Sequence, residues 1–585
     1  MVASKKIIQR RSTEISSVRF QTDLPLILQK IYAARGIFDD TALQLRLSEL
    51  CQPTLLRGLS AAIELLVDAF QTQKRILIIG DFDADGATSC ALSVLALKAM
   101  GLHSVDYLVP NRFDYGYGLT PEIVAVAAGK KPDILITVDN GISSLEGVKA
   151  AQERGMKVIV TDHHLPGDKL PSAEAIVNPN QGQCDFPSKN LAGVGVIFYV
   201  MTSLRTALRE KNWFEDHLIP EPNMANYLDL VAVGTVADVV PLDKNNRVLV
   251  HQGLQRIRSR KARPGILALL EVAGRRPENL VATDLGFVVG PRLNASGRLD
   301  DISLGIQCLL CESLDLAREM ALELDGLNKD RKAIESGMQQ EAVKTLEKIQ
   351  LEDNNELPWG LCLYDKNWHQ GVIGILASRI KDRVHRPVIA FANADVNDDS
   401  EIKGSARSID GLHIRDALDA VAARNPGLLN KFGGHAMAAG LTLPKENLER
   451  FQMAFDEVVK EKLTEEDLQA QVLSDGDLAQ DELSLVLAEK LRNAGPWGQH
   501  FPEPLFDGEF YIVQQRIVGQ KHLKLVVSKE EKGQVIFDAI AFNIDPDQWP
   551  NQEIKKVILV YKLDINEFRG RRSLQLMVDY IEPIT

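Results

Sequence analysis

The sequence predicts an α/β protein: a doubly wound parallel-sheet domain, then a long connector helix, a second α/β domain and a C-terminal five-stranded β-barrel of the OB type. Three observations predict this order. Short β-branched runs alternate with helical stretches from about Arg75, a polar segment of helical periodicity runs from Ser313 to about Gln350, and after about Lys462 the chain breaks into short strand-like segments.

The elements follow in chain order. Residues 1–54 form an N-terminal segment whose first 50 residues carry no interpretable motif, and the opening MVASKKIIQRRSTEI is basic but lacks the continuous apolar stretch of a secretory signal. RILIIG (75–80), DILITV (133–138) and KVIVT (157–161) are expected as buried parallel strands. CALSVLALKAMG (90–101) and SSLEGVKAAQERG (143–155) are expected as helices, each closed by a glycine. Together they belong to a domain over residues 55–312. A connector helix over 313–350 follows from the apolar spacing of Leu314, Ala317, Ala321, Leu324 and Leu327. LEDNNELP ends that helix, and a second α/β domain over 351–465 begins at WGLCLYD. The last module, 466–585, contains EFYIVQQRIVG, HLKLVVSK, QVIFDAIAFN, KKVILVYKLDINEF and SLQLMVDYIE, five strands with turns between them. Its basic residues Arg516, Lys521, Lys524, Arg569, Arg571 and Arg572 form either a nucleic-acid face or a solvated surface.

Composition narrows the function classes. With 45% hydrophobic and 25% charged residues, the 585-residue chain is not a disordered protein, and no apolar run approaches the length of a membrane span. Six cysteines in so long a chain are no disulfide framework, so a reducing cytoplasm is the expected location. The net charge of −13 argues against a surface coated in basic residues. It leaves room for a local basic groove, or for a metal site that recruits phosphates through bound cations.

Four clusters carry the chemistry: GDFDADGATS (80–89), TVDNGIS (137–143), VTDHHLP (160–166) and GTVADVVPL (234–242), each expected just after an apolar strand. Ligands collect at the carboxyl ends of strands in open α/β sheets, so Asp83, Asp85, Asp139, His163, His164 and Asp238 should converge. Carboxylates so close together oppose one another's ionisation unless cations are present. Carboxylate and imidazole donors without thiolate favour Mn²⁺ or Mg²⁺ over structural zinc. DFDADG opens like an EF-hand loop, but its twelfth position is Leu92 and a strand precedes it, so the calcium-loop reading fails. A single acidic strand end is often a turn or helix cap, and Asp81 ranks below Asp83 and Asp85 as a ligand for that reason. Cys308 and Cys311 lie in an apolar CLLC without a second pair at zinc spacing and are read as core. Trp213, Trp359 and Trp497 are read as core rather than as base-stacking platforms, and no G-x-x-x-x-G-K-[ST] loop is present.

TDHH, with the upstream DxDG and VDNG, resembles the DHH phosphoesterase superfamily, and GGHAMAAG (433–440) resembles the hallmark of its DHHA1 companion domain. Within that superfamily the chain is similar, from about Leu55 onward, to bacterial exonucleases that degrade single-stranded DNA from the 5′ end. VPNRFDYGYGL (109–119), GPRLNASGRLDD (290–301), WHQGVIGILASRI (368–380) and GSARS (404–408) carry that likeness. The resemblance implies two Mn²⁺ or Mg²⁺ ions held by Asp83, Asp85, Asp139, His163 and Asp238, with Asp139 as the bridge. It places His164 against the scissile phosphate, so that Asp139 and His164 are the catalytic pair. Arg112 and Tyr117 match positions near the 5′ end of the strand, and Arg298, Ser405, Arg407 and His435 match phosphate-contacting positions. Asp81 stands where relatives in the wider superfamily have a histidine, which makes it a candidate for an additional place in the metal shell.

The implied activity is release of 5′-mononucleotides in DNA recombination and repair, by a monomer working beside a helicase and a single-strand-binding protein. Two rivals stand beside it. A small-substrate phosphatase of the same superfamily would have no use for the extra β-module, and a non-catalytic scaffold would have lost ligands that are present here.

Overall fold

The computed structural model describes residues 6–12, 18–109, 118–299, 301–352, 357–395, 398, 400–519, 521–544 and 549–584. The chain forms two compact units, one of residues 10–326 and 474–585, the other of residues 1–9 and 327–473.

The larger unit is built on a five-stranded parallel sheet. Its strands are Val105–Leu108, Ile76–Gly80, Ile134–Val138, Lys157–Thr161 and Ala175–Val177, in that spatial order. Alternate residues of each strand enter opposite cores, which is why the runs are apolar throughout. Ile76, Ile78, Ile134, Ile136 and Ile159 pack on one face with helices Leu59–Gln71, Ala84–Ala99 and Gly193–Glu210. Leu77, Ile79, Leu135, Val158 and Val160 pack on the other with Pro121–Ala128 and Leu145–Glu153. The chain leaves Ile76–Gly80 in one direction along the sheet and returns to its other side with Ile134–Val138. The order therefore reverses between these two strands, and a crevice opens at their carboxyl ends.

One sequence expectation is corrected here. The apolar run before Asp238 is not a strand but the helix Leu228–Ala237, and Asp238 is its C-cap. A short continuous apolar run is compatible with either element when it is buried on every side, as residues Leu228 to Thr235 are. The tryptophan reading holds in detail: Trp213 and Trp497 are buried, and Trp359 packs against a core. All six cysteines are free; Cys308 is buried, whereas Cys311 is only partly so, because the helix Ser303–Leu310 ends just before it.

The C-terminal strands Phe506–Val518, His522–Ser528, Phe537–Ala541, Arg571–Ile584 and Lys556–Phe568 close into a barrel in that order. Phe506, Phe510, Leu525, Leu559, Tyr561 and Leu576 fill it, and this core is continuous with that of the parallel-sheet domain. The early helix Leu26–Ala33 belongs to the same core. Its Tyr32 hydroxyl donates to the Ala494 carbonyl, and Arg35 forms a bidentate bond with Asp475 at 2.7 and 2.9 Å.

In the smaller unit a mixed sheet runs Lys431–Gly434, Ala438–Pro444, Glu401–Arg407, Val388–Asn393 and Leu361–Tyr364, parallel only in the last pair. Its two faces carry separate cores, one around Phe391, Phe451 and Phe455 and one around Leu363, Leu376 and Ile380. The helix Leu314–Glu352 is continuous, with residues to Gly326 in the larger unit and those from Leu327 in the smaller. Among the described residues no single helix is long and apolar enough to cross a membrane.

Candidate metal centre

Each acidic side chain reaches the crevice for a local reason. Asp81 follows the strand Ile76–Gly80 directly, and Asp139 follows Ile134–Val138 in the left-handed region at φ 63°. Aspartate tolerates that conformation better than most residues, and it turns the carboxylate back over the sheet end. Asp83 is the N-cap of helix Ala84–Ala99, accepting from the amides of Asp85 and Gly86, so the cap is Asp83 rather than Asp81. Asp81 accepts from the Phe82 amide. Asp85 lies in the first turn and accepts from two amides at the start of helix Gly193–Glu210, Gly193 at 2.6 Å and Val194 at 2.9 Å. That helix start is positive, which favours the carboxylate. Gly193 permits the approach: a Cβ there would lie 2.6 Å from Asp139 Cβ.

The side chains converge as three overlapping groups whose candidate ligand atoms lie within 4.8 Å of one another: Asp81, Asp83 and Asp139; Asp139, His163 and His164; Asp85, His163 and Asp238. His163 Nε2 is 3.1 Å from Asp139 Oδ1 and 3.5 Å from Asp238 Oδ2. Asp139 and His163 are each shared by two groups, which is the arrangement two adjacent cations require.

Electrostatics point to positive charge. Burial, and then the neighbouring Asp83, push the Asp85 carboxyl up to about 7 against the pull of its two amide donors. Burial and the charges of Asp85 and Asp83 push Asp139 and Asp238 well above the usual carboxylate range. Carboxylates buried this close stay ionised only beside cations. The donors are oxygen and imidazole, and no cysteine belongs to any of the three groups. The site therefore fits two hard divalent ions of the Mn²⁺ or Mg²⁺ type.

The first residue of the DHH triplet is a positioning group that sequence reasoning missed. Asp162 is buried; it accepts from the amides of Ile142, His163 and His164, and from His164 Nδ1–H at 2.7 Å. Burial alone would lower the His164 pKa, but the Asp162 hydrogen bond and charge outweigh it and raise it. Burial raises Asp162, and the same hydrogen bond, with the charges of His164 and His163, wins and holds its carboxyl below the usual range. The backbone of the two histidines is held in turn: Asn180 Nδ2 donates to the His163 carbonyl at 2.6 Å and Asn178 Nδ2 to the His164 carbonyl at 2.9 Å. Asn294 Oδ1 accepts from the Ala84 amide at 2.7 Å, bracing the acidic loop from the helix Gly290–Leu299. The buried acid between an apolar strand and two histidines was a usable signal for Asp162. VNPN (177–180) reads simply as a turn.

The substrate-contact candidates divide. Arg298 lies in the larger unit, next to Gly297, whose position is packed against the Phe82 carbonyl of the acidic loop. Ser405, Arg407 and His435 lie in the smaller unit. Ser405 and Arg407 alternate on one strand, with Arg407 Nη1 donating to Ser405 Oγ at 3.2 Å, and burial lowers the guanidinium's pKa. Arg407 pairs with Ala438 across the ladder, and the His435 amide donates to the Ala438 carbonyl, so the three lie toward one end of the sheet, Ser405 and Arg407 on its central strand. Arg112 and Tyr117 lie outside the described residues.

Comparison with known proteins agrees with this geometry. Residues 75–235 match the model of the DHH family, N-terminal domain, residues 359–461 the DHHA1 domain, and residues 474–580 the RecJ OB domain. The single-stranded-DNA-specific exonuclease RecJ of Salmonella typhimurium is 55% identical over 575 residues, covering 98% of this chain and 99% of that protein. Its Escherichia coli counterpart is 54% identical, covering 99% and 100%. Among solved structures, RecJ from Thermus thermophilus in complex with Mn²⁺ matches with a TM-score of 0.77 at 28% identity, over 97% of this chain and 80% of that one.

Proposed function

The chain belongs to the RecJ family of single-stranded-DNA-specific exonucleases, and from that premise we propose that it hydrolyses single-stranded DNA from the 5′ end, releasing 5′-mononucleotides. The observation that carries the hydrolytic part of this reading is the convergence of Asp81, Asp83, Asp85, Asp139, His163 and Asp238, with Asp139 and His163 shared between groups; strandedness, polarity and product rest on the family. In the proposed roles, Asp83, Asp85, Asp139, His163 and Asp238 would hold two Mn²⁺ or Mg²⁺ ions, with Asp139 the ligand shared between them and Asp81 an additional ligand. The ions supply Lewis acidity and the activated water of phosphodiester hydrolysis.

The protein's own groups orient and neutralise. Asp162 fixes the tautomer and tilt of His164, whose Nε2 side meets a non-bridging phosphate oxygen as negative charge grows on it. Asn178 and Asn180 keep the two histidines from drifting as substrate enters. Arg298, Ser405, Arg407 and His435 contact phosphates, the arginines as planar forks, and Arg112 and Tyr117 meet the 5′ end. The barrel extends the grip on a flexible strand.

The functional division follows the domains expected from sequence: catalysis in 55–312, substrate contact in 351–465, strand binding in 466–585. The protein acts in recombination and repair, in the cytoplasm and as a monomer, on strands that a helicase opens and a single-strand-binding protein coats. Single-stranded DNA labelled separately at each end, incubated with Mn²⁺, Mg²⁺ or EDTA, tests the reaction and its polarity. Immediate mononucleotide release from the 5′ label with gradual shortening of the 3′-labelled strand is expected. Cleavage of dinucleotides alone would favour the small-substrate phosphatase instead.

A further inference from the structure

Away from the metal centre, the larger unit holds a cavity that the proposed hydrolysis leaves unused. It opens where the helix Lys244–Arg258, the segment 281–283, the helix Leu485–Asn493 and the barrel strand Lys556–Phe568 meet. Leu254, Leu491, Trp497 and Ile565 give it apolar walls, and the side chains of Arg258 and Arg492 line it.

Those two arginines are held in place by backbone. Arg258 Nε donates to the Leu280 carbonyl at 2.8 Å, and Arg492 Nη2 to the Asn279 carbonyl at 2.7 Å. Consecutive carbonyls thus anchor two guanidiniums that line the same cavity. Among the described residues neither has a carboxylate within 4.0 Å. Of the acids lining the cavity, Glu503 is taken by Lys562 at 2.8 Å, and Asp564 is exposed. Burial pushes the Arg258 pKa down, and the charge of Arg492 adds to it. A carboxylate is satisfied by one guanidinium fork, whereas two adjacent forks match the several oxygens of a phosphate. The apolar walls suit the sugar and base beside it.

We propose that Arg258 and Arg492 form a phosphate clamp, separate from the metal centre, that takes a nucleic-acid phosphate, either within the strand or on the released mononucleotide. The choice of a nucleic-acid phosphate rests on the exonuclease reading; the clamp as an oxyanion site does not.

The test uses the full chain in EDTA, so that nothing is cleaved, with R492A and R258Q compared against wild type. Fluorescence anisotropy follows a long oligothymidylate across a salt series, and ³¹P line broadening follows thymidine 5′-monophosphate and inorganic phosphate. If the clamp holds the strand, both variants bind it about three- to tenfold more weakly, and the slope of log Kd against log salt falls by about 0.7 for each arginine–phosphate pair removed. If it holds the mononucleotide, monophosphate binding weakens while strand binding stays the same. Unchanged binding of all three probes in variants with native circular dichroism overturns the clamp. Should either variant unfold, R492K is read instead: weaker phosphate binding with an unaltered salt slope is expected, and wild-type behaviour overturns the proposal. Failure of wild type to degrade single strands with Mn²⁺ would count against the exonuclease reading and leave the anion result standing.

Discussion

Replacing Gly193 by alanine probes how the metal cradle is assembled. A Cβ at this position would lie 2.6 Å from Asp139 Cβ and 2.7 Å from Asp139 Oδ1, where ordinary contact begins at 3.4 Å. The helix start must then retreat by about 0.8 Å, the difference between 3.4 and 2.6 Å. That retreat stretches the two bonds to Asp85, now 2.6 and 2.9 Å, to about 3.4 and 3.7 Å. Each hydrogen bond to a charged group contributes about 1.5–3 kcal/mol. Alanine is the better helix former by about 1 kcal/mol, so the cost falls on the site more than on the helix. With its donors gone, the Asp85 carboxyl moves above its present position of about 7, and the proton competes harder with a cation. Each unit of that rise corresponds to about 1.4 kcal/mol, or a tenfold loss of affinity below the new pKa. The expected result is Mn²⁺ binding about 10- to 100-fold weaker near neutral pH, with the deficit shrinking as pH rises. Isothermal titration with Mn²⁺ between about pH 6.5 and 9, on protein shown to be folded by circular dichroism, measures it. Wild-type affinity at neutral pH in a folded G193A protein would refute the reasoning.

Four further outcomes are expected. Asp139→Asn, which keeps a side chain suited to the left-handed backbone at φ 63°, abolishes hydrolysis yet leaves the metal-free protein at least as heat-stable, because a buried carboxylate repelled by Asp85 and Asp83 is gone; a lower melting temperature in EDTA would contradict this. Asn178→Ala and Asn180→Ala lower kcat about 10- to 100-fold with KM little changed, since they hold the histidine backbone rather than substrate; a rise in KM alone in steady-state assays would refute it. In EDTA, the folded protein binds protons on Asp85 that the unfolded chain has released between about pH 4 and 7, so this group's contribution to stability falls as pH rises through that window; thermal melts that rise across it, with Mn²⁺ making no difference, would contradict the assignment. Arg35→Ala leaves Asp475 buried without its bidentate partner and costs about 3–5 kcal/mol, read by urea denaturation.

Deleting residues after about 470 would be a natural way to ask what the barrel does, but the structure makes it a poor test. The barrel core is continuous with the catalytic core, and Arg35 and Tyr32 are anchored to Asp475 and Ala494. Truncation would expose apolar surface as well as remove the barrel's exposed residues. Substitutions of exposed barrel residues such as Arg516 and Phe568 separate the two effects.

Much of the protein was legible in the chain. Five-residue runs that are β-branched, apolar at every position and bounded by turn residues favour strands covered on both sides, so the parallel sheet was legible in Ile76–Gly80 and Ile134–Val138. Acidic residues directly after those runs had to lie at the sheet's carboxyl edge, which brought Asp83, Asp85 and Asp139 together from position alone. Asp238 was found for the wrong local reason, because a helix buried on all sides carries no periodicity to tell it from a strand.

What tertiary structure alone decided is how the ligands are held. Nothing in the local pattern says that amides 108 and 109 residues away from Asp85 would cap its carboxylate, that Asn178 and Asn180 would grip the histidine carbonyls, or that the barrel would share a core with residues 26–33. Periodicity and propensity report on neighbours within a few residues. Hydrogen bonds between distant segments depend on where two chains happen to cross, and that is set by packing the whole core at once. The sequence by itself determined which chemistry the protein carries; the folded chain decided which side chains are charged, which are restrained, and how closely they meet.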